Sequence, residues 1–533
     1  MGTVAPAVRA EKGTAKEVRR VVIASSLGTL FEWYDFFIYG TLAASGIIGS
    51  VFFPSGNGQL QTLLAWAGFA VGFGFRPLGA VLFGYLGDRF GRKHTFIVTI
   101  GLMGVATAGV GLVPSYAAIG WLAPALIILL RIAQGVALGG EYGGAAIYVA
   151  EHSPAGKRGF YTSFIQASVG AGFFLSLLVV LACKWSMPAD VWHEWGWRVP
   201  FLLSLILLAI SLWMRVRLSE SPVFQAMKAA GTTARNPLRE SFTYPGNGRR
   251  LVLALFGIAA GLTVIWFTAM FTTLGFLRNA MHVEETVAQI LVGAGAAFGL
   301  VWFVLFGKLS DRIGRKRLIV TGYALTLLLL FPLFHLIGKA ANPHLMLAAA
   351  EAPLVVSGPD CGFNPFLKSQ NNACGHLLDY LSKKGIKYSL ESGPAVTLTV
   401  GGRLVTGQTE PELDAALTEA GYPLGKVTPS AGNLAIIALA ILALTALSGA
   451  TYGPVAALLT ELFPPRIRYS SMSIPYHLGT GYFGGLLPFV EQYIVARTGN
   501  PFAGLWYSWC VVAMALVVTV LLLRERDLLK GGD

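Results

Sequence analysis

Two carboxylates inside an apolar segment are the residues of this sequence best suited to chemistry. Glu32 and Asp35 stand three residues apart and therefore share one face of a helix, with Tyr39 one turn beyond Asp35. In a medium of low polarity two such carboxylates repel each other and lose hydration, which favours a bound proton on one of them. We therefore expect proton coupling through this pair, unless one acid serves only as a structural ion pair to Arg76 or Arg131.

These two arginines lie in other apolar segments, where a guanidinium offers a permanently charged, two-pronged receptor for a carboxylate. Each could bind substrate or could only neutralise an acid in its own half of the chain. On a continuous helix, Gln134 and Tyr142 fall within roughly 60° of Arg131, whereas Glu141 is roughly 80° away and can face a neighbouring helix. Glu141 is the third proton-coupling candidate. The substrate-binding candidates are Arg76, Arg131, Tyr39, Gln134 and Tyr142.

The overall composition indicates which elements must position these residues. The chain has 533 residues, of which 54% are hydrophobic and 13% are charged, about half the charged fraction of a typical soluble protein. Its mean hydropathy is +0.62, and apolar runs of roughly 20 residues, long enough to cross a bilayer, recur along it. We therefore predict twelve membrane spans, near residues 21–47, 60–84, 94–113, 119–147, 160–183, 198–217, 250–277, 287–307, 318–338, 433–458, 470–495 and 502–523.

The basic residues predict the orientation of the chain. The net charge is +13, and lysines and arginines concentrate in the segments that share a face with both termini, which the positive-inside rule assigns to the cytoplasm. This distribution accounts for the charge without nucleic-acid binding. The first apolar run is too long for a cleaved signal peptide and contains two acids, so we expect a retained span. Both termini are predicted to be cytoplasmic.

An internal repeat predicts two similar halves. Residues 84–93 read GYLGDRFGRK and residues 307–316 read GKLSDRIGRK, with seven of ten positions identical at an offset of 223. A second pattern, E-x-x-P-x-x-x-R, begins at Glu151 and again at Glu461, at an offset of 310. The predicted fold is therefore an all-α membrane protein of twelve helices in two six-helix bundles of parallel orientation. The difference between the offsets places about 87 extra residues in the second half.

The extra residues form a polar insert between the ninth and tenth spans. Their pattern predicts helices near 373–384 and 410–420 and strands near 386–391, 395–400 and 403–406, which together make a small α/β domain on the outer face. Cys361 and Cys374 in this domain are candidates for a disulfide in an oxidising compartment. The predicted division is a first six-helix bundle at 1–218, a cytoplasmic loop at 219–249, a second bundle at 250–338 and 431–533, and the insert at 339–430.

The two ten-residue motifs resemble the loops between spans 2 and 3 and between spans 8 and 9 of the major facilitator superfamily, and this resemblance covers nearly the whole chain outside the insert. Further segments are similar to its metabolite:proton symporter family: FEWYDFFIYG at 31–40, FRP at 75–77, RIAQGVALGGE at 131–141, WGWRVPF at 195–201 and ESPVF at 220–224. The resemblance implies import of a small anionic or zwitterionic metabolite, such as a dicarboxylate, citrate, shikimate, proline or betaine, across a bacterial inner membrane. Protons would be the coupling ion, with no other cofactor.

The resemblance also implies a cytoplasmic latch. In that superfamily, charges of the repeated loop motifs form salt bridges and contact a facing helix terminus, which holds the inner gate shut. The gating candidates are Asp88, Arg89, Arg92, Asp311, Arg312, Arg315, Glu151, Arg158, Glu461 and Arg468.

Other functions are less consistent with the sequence. The ATP-binding pattern G-x-x-x-x-G-K-[ST] is absent, as are the hydrolase patterns H-E-x-x-H and G-x-S-x-G, and no metal site is expected. His477, alone in its span, is interpreted as a packing or pore-lining residue. We therefore expect a monomeric transporter that is not an enzyme and whose partners are the bilayer and a small molecule. The alternatives are a transporter-fold receptor whose outer domain binds a ligand, and a proton-coupled exporter.

Overall fold

The computed structural model describes residues 15–524 and 528, apart from 56–57, 91, 155, 217–228, 230–235, 360, 368–369 and 407–408. Side chains at 15–17, 87–90, 92–96, 215–216 and 466 are also outside the description. The predicted latch side chains of Asp88, Arg89 and Arg92 therefore lie outside the described residues, as does most of the predicted central loop at 219–249.

Within the described residues, ten helices are long and apolar enough to cross a membrane. In chain order they are spans 1, 2, 4 to 10 and 12: Val18–Ala44, Gly58–Leu86, Leu122–His152, Arg158–Trp185, Gly196–Met214, Asn247–Ala280, Glu285–Ile313, Arg315–Ala341, Ala431–Leu462 and Leu505–Leu522. Span 3 is the shorter apolar helix Ile97–Leu112. Span 11 is built from the helix Arg468–Gly479, the π-helical segment Thr480–Gly485 and the helix Leu487–Thr498. These segments account for all twelve predicted spans.

Several spans change their helix type or break near the centre. Span 2 consists of Gly58–Gly74 and Arg76–Phe90, span 4 of Leu122–Gly139 and Tyr142–His152, and span 10 of Ala431–Tyr452 and Val455–Leu462. Span 7 alternates between α- and π-helical turns from Asn247 to Ala280. Short helices flank the spans at Ile47–Phe52, Tyr116–Ile119, Ala189–Glu194, Pro237–Thr243 and Pro343–Glu351.

Spans 2 and 4 approach each other closely because glycines line their contact. A Cβ atom added to Gly135 would lie 1.8 Å from the carbonyl oxygen of Gly72, and one added to Gly139 would lie 2.0 Å from that of Arg76. No side chain fits at either position. The contact fixes the backbone of Arg76 against the point where span 4 breaks.

The two halves meet along spans 1, 2, 4 and 5 of the first half and spans 7, 8, 10 and 11 of the second. Span 5 packs along both span 1 and span 8, and span 11 packs along both parts of span 2. The core of each half is aliphatic and aromatic, but the surface between the halves also contains the polar groups described below.

The insert has a four-stranded sheet with the strand order β2-β1-β3-β4. Its strands are β1 (Leu354–Gly358), β2 (Tyr388–Ser392), β3 (Thr397–Val400) and β4 (Arg403–Val405), and only β1 and β2 are parallel. Helices at Ala373–Lys383 and Glu410–Glu419 complete the domain, so the predicted α/β insert is confirmed. The central strand β1 lies outside the predicted strands. A disulfide joins Cys361 to Cys374.

The insert rests on both halves of the membrane core. Arg497, at the end of span 11, donates a hydrogen bond of 2.6 Å to the carbonyl oxygen of Phe363. Gln59, at the start of span 2, donates one of 3.1 Å to the carbonyl oxygen of Ser382. We call the face that carries this domain the insert side, and the opposite face the termini side.

Candidate functional site

Arg76 is a buried charge of span 2 for which the described residues provide no hydrogen-bond acceptor. It is fully buried at the start of the second helix of span 2, and its guanidinium lies 5.0 Å from the ring centres of Trp33 and Phe73. None of its three side-chain nitrogens has a hydrogen-bond acceptor within the described part of the chain. A buried guanidinium is costly unless a negative or strongly polar group satisfies it. This environment is therefore suited to an anion.

Three tyrosines lie within electrostatic range of this guanidinium: Tyr142, Tyr452 and Tyr476. The rings of Tyr142 and Tyr476 are stacked with their centres 3.9 Å apart, and the hydroxyls of Tyr452 and Tyr476 are 2.8 Å apart. Gln166 donates a hydrogen bond to the hydroxyl of Tyr142. Since Tyr142 and Gln166 belong to the first half and the other two tyrosines to the second, the site spans the surface along which the halves must move.

His477 is a further polar group in this region. It is fully buried, and neither ring nitrogen has a hydrogen-bond partner among the described residues. Its ring packs edge-on against Tyr476 and Tyr142, with centres 5.4 and 6.4 Å away. A neutral imidazole donates from one nitrogen and accepts at the other, so His477 can bind a hydroxyl or carbonyl of a molecule held by Arg76. We call Arg76, Tyr142, Gln166, Tyr452, Tyr476 and His477 the Arg76 cluster.

Arg131 is also fully buried, but the first half satisfies it. Its guanidinium donates to Gln134 Oε1 at 2.7 Å and to the carbonyl oxygens of Phe36, Gly68 and Phe69 at 3.4 Å. The rings of Phe36 and Tyr39 lie 4.2 and 4.5 Å away. These contacts tie spans 1, 2 and 4 together, as expected of a structural arginine.

The predicted substrate-binding residues therefore separate into two groups. Tyr39 and Gln134 contact Arg131. The hydroxyl of Tyr39 donates a hydrogen bond of 3.2 Å to the carbonyl oxygen of Ala65, and the amide nitrogen of Gln134 donates one of 2.7 Å to the hydroxyl of Thr107. Tyr142 instead joins Arg76. The helical arithmetic that placed Tyr142 beside Arg131 assumed a continuous helix, whereas span 4 is interrupted after Gly139.

The three proton-coupling candidates are all buried inside the first half. Glu32 and Asp35 are each 5% exposed and Glu141 is 2% exposed. Asp35 Oδ1 has no hydrogen-bond donor, and Asp35 forms no ion pair with Arg76 or Arg131 in the described structure. Asp35 directly precedes Phe36, whose carbonyl faces Arg131. A movement of span 1 would therefore reach both Asp35 and the Arg131 contacts.

An aromatic plug closes the insert side of the site. Phe37 stacks on Trp266 with ring centres 5.0 Å apart, and the pairs Phe73 and Phe267, and Phe69 and Phe271, each have centres 5.3 Å apart. We define the plug as Phe37, Phe69, Phe73, Phe173, Trp266, Phe267 and Phe271. Farther out, Arg278 of span 7 donates to the carbonyl oxygens of Ala44 and Ser45 at the end of span 1.

Charged groups of the predicted latch close the termini side. Asp311 accepts hydrogen bonds of 2.9 Å from the backbone nitrogens of Gly159 and Phe160, at the positive N-terminus of span 5. Arg315 pairs with Asp311 at 2.7 Å and with Glu461 at 3.1 Å.

An ion pair also joins the two halves on the same side. Arg468 lies 3.3 Å from Glu151, whereas Arg158 is the first residue of span 5 and Arg312 is exposed. With contacts between the halves on both sides, the Arg76 cluster is occluded.

Two residues of the cluster could have been found from the internal repeat. Tyr452 and Tyr476 stand 310 residues after Tyr142 and Gln166, which is the offset of the E-x-x-P-x-x-x-R pattern. In each half the repeated pair is joined by a hydrogen bond. Trp33 and His477 have no such signal, because an aromatic residue or a lone histidine in an apolar span is usually packing.

Comparisons with known proteins agree with this architecture. A family described as "Sugar (and other) transporter" matches residues 21–252 and 415–525. The inner membrane metabolite transport protein YhjE of Escherichia coli K12 is 31% identical over 95% of this chain and 94% of its own. The shikimate transporter of the same strain is 37% identical over 61% of this chain and 74% of its own.

Among solved structures, the E. coli xylose transporter XylE in a partially occluded inward-open conformation has a TM-score of 0.58 at 17% identity. This match covers 94% of this chain and 97% of that one. The shared fold confirms the predicted architecture of two six-helix bundles.

Proposed function

Because the chain belongs to the sugar and metabolite transporter family of the major facilitator superfamily, we propose that it is a proton-coupled importer of a small organic anion. It is a multi-pass membrane transporter and not an enzyme. The observation that carries the substrate class is Arg76, whose buried guanidinium has no hydrogen-bond acceptor in the described part of the chain. The carboxylate of a substrate would satisfy its nitrogens in a bidentate manner.

The remaining members of the cluster would select the rest of the molecule. Tyr142, Tyr476 and His477 surround Arg76 with hydroxyl and imidazole groups. These groups suit a metabolite that carries hydroxyl or keto oxygens in addition to its carboxylate. A shikimate transporter among the relatives is consistent with a hydroxylated carboxylate. A zwitterion would also present a carboxylate to Arg76, but a site with a net positive charge favours a net anion.

We infer that transport proceeds by alternating access around this cluster. Separation of the aromatic rings of the plug would open the cluster to the insert side. Release of Asp311 from the N-terminus of span 5 and of Arg468 from Glu151 would open it to the termini side. Exposed ion pairs contribute little to stability by themselves, so these contacts matter only as a difference between two conformations. The basic residues favour a cytoplasmic termini side and a periplasmic insert side in a bacterial inner membrane.

Proton coupling is assigned to the acids of the first half, with Asp35 as the principal carrier. A buried carboxylate oxygen without a donor is stabilised when it takes up a proton. The position of Asp35 next to Phe36 would link its protonation to the contacts of Arg131, and so to the packing of spans 1, 2 and 4. Glu32 and Glu141 would be secondary carriers.

The test is uptake into proteoliposomes against an imposed pH gradient. The labelled panel contains shikimate, 2-oxoglutarate, citrate, proline and betaine, with the lumen alkaline relative to the outside. We expect accumulation of a carboxylate above its external concentration, and loss of this accumulation when a protonophore collapses the gradient. Accumulation of betaine alone would overturn the anion assignment, and accumulation only under the opposite gradient would indicate an exporter. Tight binding without any flux would indicate a receptor.

A further inference from the structure

Glu491 is a buried carboxylate for which the proposed transport cycle has no role. It lies in the last helix of span 11, Leu487–Thr498, and is 3% exposed. Fifteen residues separate it from Tyr476 along the span, which places it roughly 20 Å closer to the insert side than the Arg76 cluster.

A cavity beneath the insert reaches this carboxylate. It has a volume of about 80 Å³ and is lined by Glu491 with Thr272, Asn279, Gln492, Gln59 and Ser382, among others. A water needs roughly 10–15 Å³ of such space together with polar partners, so this cavity can hold several waters. Glu491 therefore lines a partly polar cavity between the insert and the membrane core.

The hydrogen bonds of Glu491 suit a group that gains and loses a proton. Ser508 donates to Glu491 Oε1 at 2.7 Å, and Thr272 donates to Oε2. The Ser508 hydroxyl also lies 2.7 Å from that of Thr268, and either of these two can be the donor. When Glu491 is a carboxylate, Thr268 can donate to Ser508 and Ser508 to Glu491. When Glu491 is protonated, Glu491 can donate to Ser508 and Ser508 to Thr268.

The described helices of spans 2, 7 and 12 that pack against Glu491 place no cation beside it, and Lys383 and Lys384 of the insert pair with Asp379 and Asp414. The contacting helices of spans 2 and 7, Gly58–Gly74, Ala260–Phe267 and Thr268–Thr272, contain no charged residue. Span 12 presents the phenol of Tyr507, which donates to the Phe483 carbonyl, and Cys510 of the same helix is exposed. Arg497, on the helix of Glu491 itself, is engaged with Phe363 of the insert. A proton is thus the simplest means of neutralising this carboxylate.

The contacts of Glu491 also reach the plug. Thr272 directly follows Phe271, whose ring packs against Phe69 and Phe173 of the first half. Loss or reversal of hydrogen bonds at Glu491 would change the packing between spans 7, 11 and 12, at the end of span 7 that must move for the insert side to open.

We propose that Glu491 is a second proton-binding site, reached from the insert side through the cavity beneath the insert, and that its protonation state biases the opening of the aromatic plug. This inference rests on the proposed proton-coupled function and adds a carrier in the second half. Thr272 and Ser508 are positioning residues for it, because both stabilise the charged carboxylate.

The test combines infrared titration with transport. In reconstituted protein, the C=O stretch of a protonated buried carboxyl should appear as the external pH falls, and Glu491→Gln should remove this component of the titration. Ser508→Ala removes a donor to the carboxylate, so the same component should shift to more alkaline pH. Glu351→Gln, which changes an exposed acid near the insert, is the matched control and should leave the titration unchanged.

The transport arm separates this inference from the proposed function. Uptake of labelled shikimate or 2-oxoglutarate by Glu491→Gln should lose part of its dependence on external pH while remaining sensitive to a protonophore. An infrared titration of Glu491→Gln identical to that of the wild type would overturn the inference, even if uptake is proton-driven. Absence of proton-driven uptake in the wild type would instead refute the proposed function. If Glu491→Gln does not insert, the shift in Ser508→Ala decides, and an unshifted titration there also refutes the second site.

Discussion

The two halves of the membrane core share a fold but differ in the chemistry that they place near the centre. Among the described residues, the first half buries five acidic or basic side chains in its spans: Glu32, Asp35, Arg76, Arg131 and Glu141. Opposite them the second half offers the phenols of Tyr452 and Tyr476 and the imidazole of His477. Its buried carboxylate, Glu491, lies far toward the insert side.

The repeated positions show what has diverged. Tyr142 and Gln166 in the first half correspond to Tyr452 and Tyr476 in the second, and each pair keeps a hydrogen bond across two neighbouring spans. The hydrogen-bonded pair is therefore present in both halves, whereas the charge of Arg76 is not. At the offset of the ten-residue motif, Arg76 corresponds to Gly299. This asymmetry supports a division at the centre of the membrane core, in which the first half binds the substrate anion and the proton and the second half completes the site with neutral groups. The proton site proposed at Glu491 lies outside this centre.

The largest effect is expected from Arg76. Arg76→Gln should reduce uptake to background, because the substrate carboxylate loses its charged partner inside a site of low polarity. Arg76→Lys keeps the charge but loses the fork, and the apparent affinity should fall about tenfold or more, at about 1.4 kcal/mol per decade. The concentration dependence of initial uptake measures both effects.

Two further arginine variants show whether the effect belongs to this position. Arg198→Lys changes a half-buried arginine whose guanidinium donates to the carbonyls of Gly111 and Val113, and it should keep the wild-type affinity. Arg131→Lys should lower the thermal stability of the purified protein, because Arg131 ties spans 1, 2 and 4 together. Its affinity for the substrate should change little. Unchanged affinity in Arg76→Lys, with reduced affinity in Arg131→Lys, would move the anion site to Arg131.

The next largest effect is expected from Asp35, on the coupling of substrate uptake to the proton gradient. Asp35→Asn mimics a permanently protonated acid, so gradient-driven accumulation should disappear, whereas exchange of labelled for unlabelled substrate should continue because exchange needs no net proton release. Accumulation and counterflow in the same vesicles measure the two activities. Glu194→Gln, an exposed acid on a short helix, is the control. If Asp35→Asn still concentrates substrate, the carrier is another acid, with Glu32 and Glu141 next in line.

A smaller effect, on apparent affinity, is expected when the tyrosines at the repeated positions lose their hydroxyls. Tyr142→Phe and Tyr452→Phe each remove one hydroxyl and keep the ring, so the expected loss is that of one hydrogen bond, about 0.5–1.5 kcal/mol, or roughly a twofold to tenfold decrease in apparent affinity. If the division between halves is real, both variants should remain proton-driven and differ only in affinity. Loss of coupling in Tyr452→Phe would show that the second half also handles the proton at the centre.

The sequence predicted the membrane core well because its signals are long. Spans of about 20 apolar residues and a ten-residue motif repeated in both halves define the fold with little ambiguity. Arg76 was selected as a charge inside an apolar segment, and its role stays a prediction. Tyr142 was expected on the same side of span 4 as Arg131, but it lies near Arg76 because span 4 is interrupted after Gly139, which helical arithmetic does not show.

Short or tertiary features were harder to predict. The strand β1 has only five residues, so its pattern is too brief to stand out, although it is the centre of the sheet. Glu491 was overlooked because an acid near the end of a span is usually at the membrane surface. Its burial depends on Thr272 and Ser508, which come from two other spans.

The smallest effect on transport is expected from removal of the insert domain. Its sheet and helices bury apolar side chains of their own, including Val356, Leu378, Leu398 and Leu417. Because the twelve spans lie outside residues 354–424, replacement of these residues by a short Gly/Ser linker should leave the spans folded. Surface loops tolerate such changes, at roughly 0.6 kcal/mol for each doubling of loop length.

We therefore expect the shortened protein to insert, to remain monodisperse in detergent and to retain uptake within about threefold of the wild type. The threefold allowance corresponds to the loss of about one hydrogen bond between the first half and the insert, that from Gln59 to Ser382. Gln59→Ala in the intact chain is the matched variant, because it removes this contact alone and should reproduce any change in rate that the contact causes. Loss of all uptake in the shortened protein, with normal insertion and normal uptake in Gln59→Ala, would mean that the domain itself is part of the gate on the insert side.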